Sequence, residues 1–212
     1  MYNFQMSKKK IKEIFIGSNN KGKLKEIADL LPKSLKLYSN LDYKIPSPIE
    51  TGTSFYENSL LKAKYFSKKT KKICMSVVSG IEFVILNKKP GVYSADWAGK
   101  KRNFDLAIKK VFKKLDKKVS NWRNRKINAK FICALTIYWP GGKYKTTIGK
   151  ILGANTARNV QEIIMEDKIN GFFDEITKET WNQMRQHSEE KIPVEVILFD
   201  FDGKVLSKYG KE

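Results

Sequence analysis

The segment SNNKGK, Ser18 to Lys23, sets a hydroxyl, two amides and two lysines in a glycine-bearing turn between an apolar run and a helical one. Such a loop presents backbone N–H groups, the positive end of a helix and an ammonium to phosphate oxygens. The P-loop spacing is absent, and an ordinary capped connection has the same composition. A second constellation lies in ETGTSFYENSLLKAK, Glu50 to Lys64. Glu50 precedes a Thr–Gly turn, and Asn58 and Lys62, four apart, share one helical face. A carboxylate, an amide and a lysine so placed can hold a hydrated Mg²⁺ and a triphosphate, although a capped amphipathic helix with solvated charges reads identically. The following ICMSVVSG, Ile73 to Gly80, is apolar and contains no acid. FDFDG, Phe199 to Gly203, resembles a phosphatase nucleophile motif, but so little chain follows it that a hairpin turn at Asp202–Gly203 is the better reading.

The elements that must position these groups can be traced by periodicity. Ile11 to Ile16 is β-prone. From Lys23, Leu24, Ile27, Leu30 and Leu31 recur at helical spacing until Pro32. A short strand at LKLYS leads into a proline-bearing loop, and Phe55 to Lys69 forms a helix with a basic outer face. KICMSVVSGIEFVIL predicts two strands with a bend at Ser79–Gly80. Its Val77, Val78, Ile81, Val84 and Ile85 are expected to bury apolar surface. The stretch 87–102 is a loop, Asn103 to Leu115 a helix, and residues 116–128 a basic connector. AKFICALTIYWPGGKYKTTIGKIL is a hairpin with Pro140–Gly141–Gly142 in its turn. A helix over Thr177 to Glu190 then precedes two β segments in PVEVILFDFDGKVLS. Helices mixed with hairpins place the chain in the mixed α/β or α+β class.

Hydrophobic residues make up 41% of the 212, enough for a single domain with a proper core. Residues 1–10 read as a basic tail and 11–212 as one domain. Cys74 and Cys133 lie in separate apolar runs and are expected as buried thiols of a reducing compartment. Without a Cys/His cluster, and with His187 the only histidine, a zinc site is not indicated. No segment resembles a secretory signal or a membrane span, so an intracellular, cytoplasmic protein without membrane insertion is expected. The 42 lysines and arginines exceed the acids by 20. That field attracts polyanions, while a compositional bias toward lysine would give the same excess. SKKTKK (67–72) and WRNRK (122–126) are the basic segments. Trp122, with Arg123, Arg125 and Lys126 beside it, is a candidate for stacking on an RNA base.

Taken in order and spacing, SNNKGKLKEI, ETGTSFYENSLLKAK, Ser79–Gly80, PGVYSADWAG and AKFICALTIYWPGG…GKILG resemble the inosine triphosphate pyrophosphatases. That family hydrolyses non-standard purine triphosphates to monophosphate and pyrophosphate. The resemblance spans about residues 11 to 153, and 154–212 diverge strongly. It implies a long twisted mixed sheet with flanking helices, two lobes around a nucleotide cleft, and a homodimer. It also implies phosphate contacts by Ser18, Asn20, Lys23 and Lys62, and a Mg²⁺-binding acid at Glu50.

The departures bear on chemistry. The family's Asp-Asp-Ser-Gly, whose acids bind Mg²⁺ and activate water, stands here as Val77-Val78-Ser79-Gly80. Val84 replaces a further acid and Asp96 a customary arginine. The base-recognition segment falls near Arg158 to Ile164 with little preserved, and the Ser-His-Arg region near Arg185 to Ser188. A general base contributes ~10²–10⁴-fold and metal stabilisation several kcal/mol more. Losing both removes on the order of 5 kcal/mol of transition-state stabilisation, about four powers of ten in rate. The expectation is therefore an impaired or inactive member that keeps nucleotide or phosphate binding. The alternatives are an active enzyme with a metal site rebuilt from Glu50 and Glu82, and a basic RNA- or ribonucleoprotein-binding component.

Overall fold

The computed structural model describes residues 11–99, 103–155, 194–199 and 205–210. The expected tail (1–10), the helix over Thr177 to Glu190, the Asp202–Gly203 turn and the Arg158 to Ile164 segment lie outside these residues.

The architecture is a mixed sheet with helices on both faces. Strands β1 (Glu13–Ile16), β2 (Lys36–Ser39), β3 (Cys74–Phe83), β5 (Ile127–Tyr138), β6 (Tyr144–Asn155), β7 (Val194–Phe199) and β8 (Val205–Gly210) run in the order β2-β1-β3-β5-β6-β7-β8. The two-residue β4 (Lys89–Pro90) pairs with the far end of β3. The β2–β1–β3 pairings are parallel; β3–β5, β5–β6 and β7–β8 are antiparallel, and β6–β7 is parallel.

Helix α1 (Lys21–Leu30) carries the chain from β1 to β2. Asn20 caps it, its Oδ1 accepting from the Gly22 and Lys23 N–H groups at 2.9 and 3.4 Å. A single turn, α2 (Asn40–Tyr43), occupies the start of the expected loop after β2, nucleated by a Ser39/Asp42 capping box. Helix α3 (Phe55–Thr70) begins with a Ser54/Glu57 capping box and returns the chain to β3. Because β2 and β3 lie on opposite sides of β1, the chain reverses direction across the sheet there. In open α/β sheets, a crevice forms at the carboxyl ends of the strands at such a switch point.

Alternation along β3 assigns its two faces. Met75, Val77, Cys133, Leu135 and Ile137 pack with Ile27 and Leu31 of α1, with Ile81 and Phe83 continuing the same side of β3. Cys74 and Val78 point the other way, toward Phe66 and Phe55 of α3. Helix α5 (Phe104–Lys118) buries Ile108, Val111 and Leu115, and seats the last two over the far end of the first face, against Ile81, Phe83 and Trp122. The expected thiols are both buried and neither forms a disulfide, and burial pushes the Cys74 thiol up.

Two expectations for β3 are corrected. The bend at Ser79–Gly80 is absent, because β3 runs unbroken from Cys74 to Phe83 and pairs with β5 throughout. Gly80 is required for a close approach instead. A Cβ there would lie 2.5 Å from Ser94 Oγ and 2.6 Å from the Gly91 carbonyl oxygen. Ser94 Oγ accepts from the Ile81 N–H at 3.1 Å and donates to Gly91 O at 2.6 Å, fastening residues 91–94 to the strand. Nor does the second strand continue through Leu86. The chain leaves the sheet in a 3₁₀ turn at Val84–Leu86, which leaves Val84 54% exposed and buries Leu86 in its place. The expected loop at 87–102 likewise contains the short strand β4, a 3₁₀ turn and the single-turn helix α4 (Ser94–Trp97).

Candidate nucleotide-phosphate site

β1 stops at Ile16 beside Met75, whereas β3 continues from Ser76 to Phe83. The edge of β3 thus released is bounded by the Gly17–Asn20 loop at one end and by residues 91–94 at the other. The Gly17 N–H donates to Met75 O at 2.8 Å, and Ser76 Oγ donates to Gly17 O at 3.3 Å. Glycine is needed at 17 because a Cβ would stand 2.6 Å from the Phe66 ring. This joint fixes where the loop leaves the sheet.

The loop carries the expected polar groups. Ser18 is buried and its Oγ accepts from the Asn20 N–H at 3.2 Å. Asn19 Nδ2 donates to Ser47 Oγ at 2.7 Å, and Asn40 Nδ2 donates to Asn19 Oδ1, so the loop is tied to the segment leading to Glu50. Lys23, in the first turn of α1, reaches Ser79 Oγ with its Nζ at 2.7 Å. On the opposite face, Lys62 projects from α3 and its Nζ lies 3.0 Å from Glu50 Oε1, with 11% of the lysine side chain exposed.

Asn58 plays a different part from the one expected. Its Oδ1 accepts from the Gly52 N–H at 2.7 Å and its Nδ2 donates to Gly52 O at 3.1 Å. Buried and committed at both ends, the amide is a clamp on the turn after Glu50, not a metal or phosphate ligand. Glu57 adds to the clamp. The Thr53 and Ser54 N–H groups donate to its Oε2 at 2.6 and 3.1 Å, and these backbone donors hold its carboxyl below the usual range. Sequence reading missed this double fastening and the Lys23–Ser79 contact. The first was visible as the Ser54-x-x-Glu57 capping pattern, whereas no local signal joins residues as distant as 23 and 79.

The structure brings Ser18, Asn20, Lys23 and Ser79 together, and separately Glu50 with Lys62. It places Val77 and Val78 differently from one another. Val77 is 2% exposed within the large cluster under α1, and Val78 is 6% exposed against Phe55, Ile132 and Ala134 under α3. Consecutive strand residues face opposite ways, so acids at these positions would not share one side of the sheet. Glu82 shares the Val78 face but sits at the β4 end of the strand, opposite Pro90. Among the described residues, no group of three or more His, Cys, Asp or Glu gathers to hold a metal. A hard divalent cation requires several oxygen ligands. The described donors at the crevice, with Glu50 already paired to an ammonium, do not fit one.

The candidate RNA contact around Trp122 is corrected in part. Trp122 is 1% exposed, packed with Phe112, and its Nε1 donates to Asp116 Oδ1 at 2.8 Å, so its ring cannot receive a base. Arg123 covers that ring at 4.6 Å from its centroid and pairs with the same carboxylate at 2.6 Å. Sequence reading took the indole for a surface group because its neighbours are basic, but its hydrophobic payload belongs to the core. Arg125 and Lys126 remain exposed.

Residues 14–192 match the Ham1 family. The chain belongs to that family. Among curated Ham1 relatives, the dITP/XTP pyrophosphatase of Zymomonas mobilis is 38% identical over 66% of this chain and 66% of its own length. That of Bacillus licheniformis is 40% identical over 68% and 72%. The chain thus spans about two thirds of the length of these relatives. The solved Staphylococcus aureus Ham1 protein superposes with a TM-score of 0.59 at 31% identity, covering 69% of this chain and 73% of that one. A Coxiella burnetii HAM1 protein shares the fold over 83% of this chain and 99% of its own, with a TM-score of 0.68 at 22% identity. These neighbours are Ham1 structures, so the mixed sheet with flanking helices is the Ham1 architecture. Among the described residues, no helix is long and apolar enough to cross a membrane.

Proposed function

We propose that this Ham1 chain binds the polyphosphate of a purine-type nucleoside triphosphate, the substrate class named for its relatives, without the metal-dependent hydrolysis. One observation carries the reading: both positions where the family pattern has its paired acids are valines built into apolar clusters, at 2% and 6% exposure. Aliphatic side chains neither ligate Mg²⁺ nor accept a proton from water. The loop side supports retained binding. Lys23 and Lys62 bring ammonium groups to the released edge of β3 from α1 and from α3, and Ser18 and Asn20 hold the loop between them.

The remaining chemistry is that of binding. Lys23 can exchange its hydroxyl partner Ser79 for a phosphate oxygen, a stronger, charge-assisted acceptor. Lys62 must share its charge with Glu50, which moderates its pull on a polyanion. A pyrophosphate-release assay with dITP and XTP in Mg²⁺ tests the proposal. No turnover above the uncatalysed background is expected. Turnover on the ordinary enzyme scale of ~1–10³ per second, lost on Glu50→Ala, would overturn it in favour of a rebuilt metal site.

A further inference from the structure

Helix α5 takes no part in the crevice, yet its outer side is patterned. Lysines stand there in pairs every four residues, Lys109–Lys110, Lys113–Lys114 and Lys117–Lys118, and all are exposed. A period of four returns each pair to the same side of a helix, with about 6 Å between successive members at a rise of ~1.5 Å per residue. The buried Ile108, Val111 and Leu115 set that period, and lysine fills six of the solvent positions it leaves. Helix α3 is less basic, with Lys62, Lys64, Lys68 and Lys69, of which only Lys64 and Lys68 stand four apart.

Helix stability does not account for the pattern. Like charges four apart repel one another, and the helix dipole favours cations only in the last turn. That explains Lys117 and Lys118, but not Lys109, Lys110 or Lys113. The two rows also differ. Lys110 Nζ donates to Trp97 O at 2.9 Å, and Lys114 Nζ lies 5.4 Å from the Trp97 ring centroid, so this row leans on α4. Lys109, Lys113 and Lys117 enter none of the ion pairs found among the described residues. Asp116, which could neutralise the helix end, is held by Arg123 and Trp122. Through that contact the connector is drawn against the last turn, and its next basic residues, Arg125 and Lys126, are exposed.

We propose that the outer face of α5, centred on Lys109, Lys113 and Lys117 with Arg125 and Lys126 beyond its end, docks the phosphodiester backbone of a nucleic acid. Lysine contacts to phosphate oxygens carry charge and no base identity. With Trp122 buried, this contact is independent of sequence and strongly dependent on salt.

Fluorescence anisotropy of the full-length chain with labelled single-stranded RNA and duplex DNA, titrated across ionic strength, tests this. Binding to either probe is expected at low salt. The triple variant Lys109→Gln, Lys113→Gln, Lys117→Gln should bind at least tenfold more weakly and lower the slope of log K against log salt by about 2 on the single strand. A control removing the same charge from α3, Lys64→Gln, Lys68→Gln, Lys69→Gln, should change affinity less than threefold. Equal losses in both variants would overturn the proposal, because net charge alone would then be acting. So would no binding of either probe at about 50 mM salt. Binding of anionic lipid vesicles through α5 without binding of RNA or DNA would overturn it as well. Circular dichroism should show unchanged helix content, as every substituted side chain is exposed.

Discussion

The two sides of the β1/β3 crevice have diverged in opposite senses. The loop side, Gly17 to Lys23 together with Glu50 to Lys62, is fastened by polar contacts whose partners are almost all supplied within it: the Asn20 cap, the Asn58 clamp on Gly52, the Asn19–Ser47 link and the Glu50–Lys62 pair. The strand side, Ser76 to Gly80, has become part of the apolar core, with Val77 and Val78 facing opposite clusters. A polar network costs stability if any member loses its partner, so it persists as a unit or not at all. Val77 and Val78 need no such partners, because apolar burial is stabilising by itself. An apolar strand side and a polar loop side are therefore compatible in one crevice, as the proposed function requires.

Restoring acids to the strand side should produce the largest effects and should separate the two faces. Val77→Asp places a carboxylate in the cluster under α1 and is expected to cost on the order of 4 kcal/mol, read by denaturant unfolding. Val78→Asp lies on the α3 face that Lys62 also borders, and should cost on the order of 2 kcal/mol. Of the two, only Val78→Asp should gain Mg²⁺ affinity. Equal costs, or Mg²⁺ binding by the Val77 variant alone, would break the assignment of faces.

Disturbing the loop side comes next in size. Asn58→Ala leaves both Gly52 backbone groups without their partner and is expected to cost about 1–3 kcal/mol, and it should weaken nucleotide binding by freeing the turn after Glu50. A loss of stability with unchanged nucleotide affinity would show that the clamp serves the fold alone. Lys23→Ala should reduce triphosphate affinity about tenfold, equivalent to ~1.4 kcal/mol, with little change in unfolding.

The smallest effect concerns Glu57. Its carboxyl is held below the ordinary value of 4.5 by the Thr53 and Ser54 donors, so folding favours the charged form. The contribution is fully present above pH 4.5 and is lost as pH falls through the lowered folded value. The melting temperature of Glu57→Ala should therefore lie below that of the wild type at pH 7, and the two should converge in acid. A constant difference across the titration would assign the effect to packing instead of charge.

Much of this crevice was legible from residue order, because its loop side is built from local signals. The 3.6-residue periods of α1 and α3 act within a few residues of chain, and the Asn20 cap and Ser54/Glu57 box, equally local, were overlooked. The hairpin of β5 and β6 was visible for the same reason, its alternation being closed by the Gly-bearing turn. What else escaped is non-local. Gly80 looked like a bend, since nothing nearby shows that Ser94 packs on it. Val84 looked buried, since the exit of the chain from the sheet depends on where β4 returns. Trp122 looked like a surface aromatic until α5 and β3 enclosed it. In each case a tertiary contact decided between readings that local composition left equal.

The central claim, polyphosphate binding without a metal site, is tested most directly by calorimetric titration of the wild-type chain with XTP, first in EDTA and then in Mg²⁺. Binding is expected in EDTA, weakened about tenfold in Lys23→Ala, and no tighter once Mg²⁺ is present. Binding that requires Mg²⁺, or no binding under either condition, would contradict it.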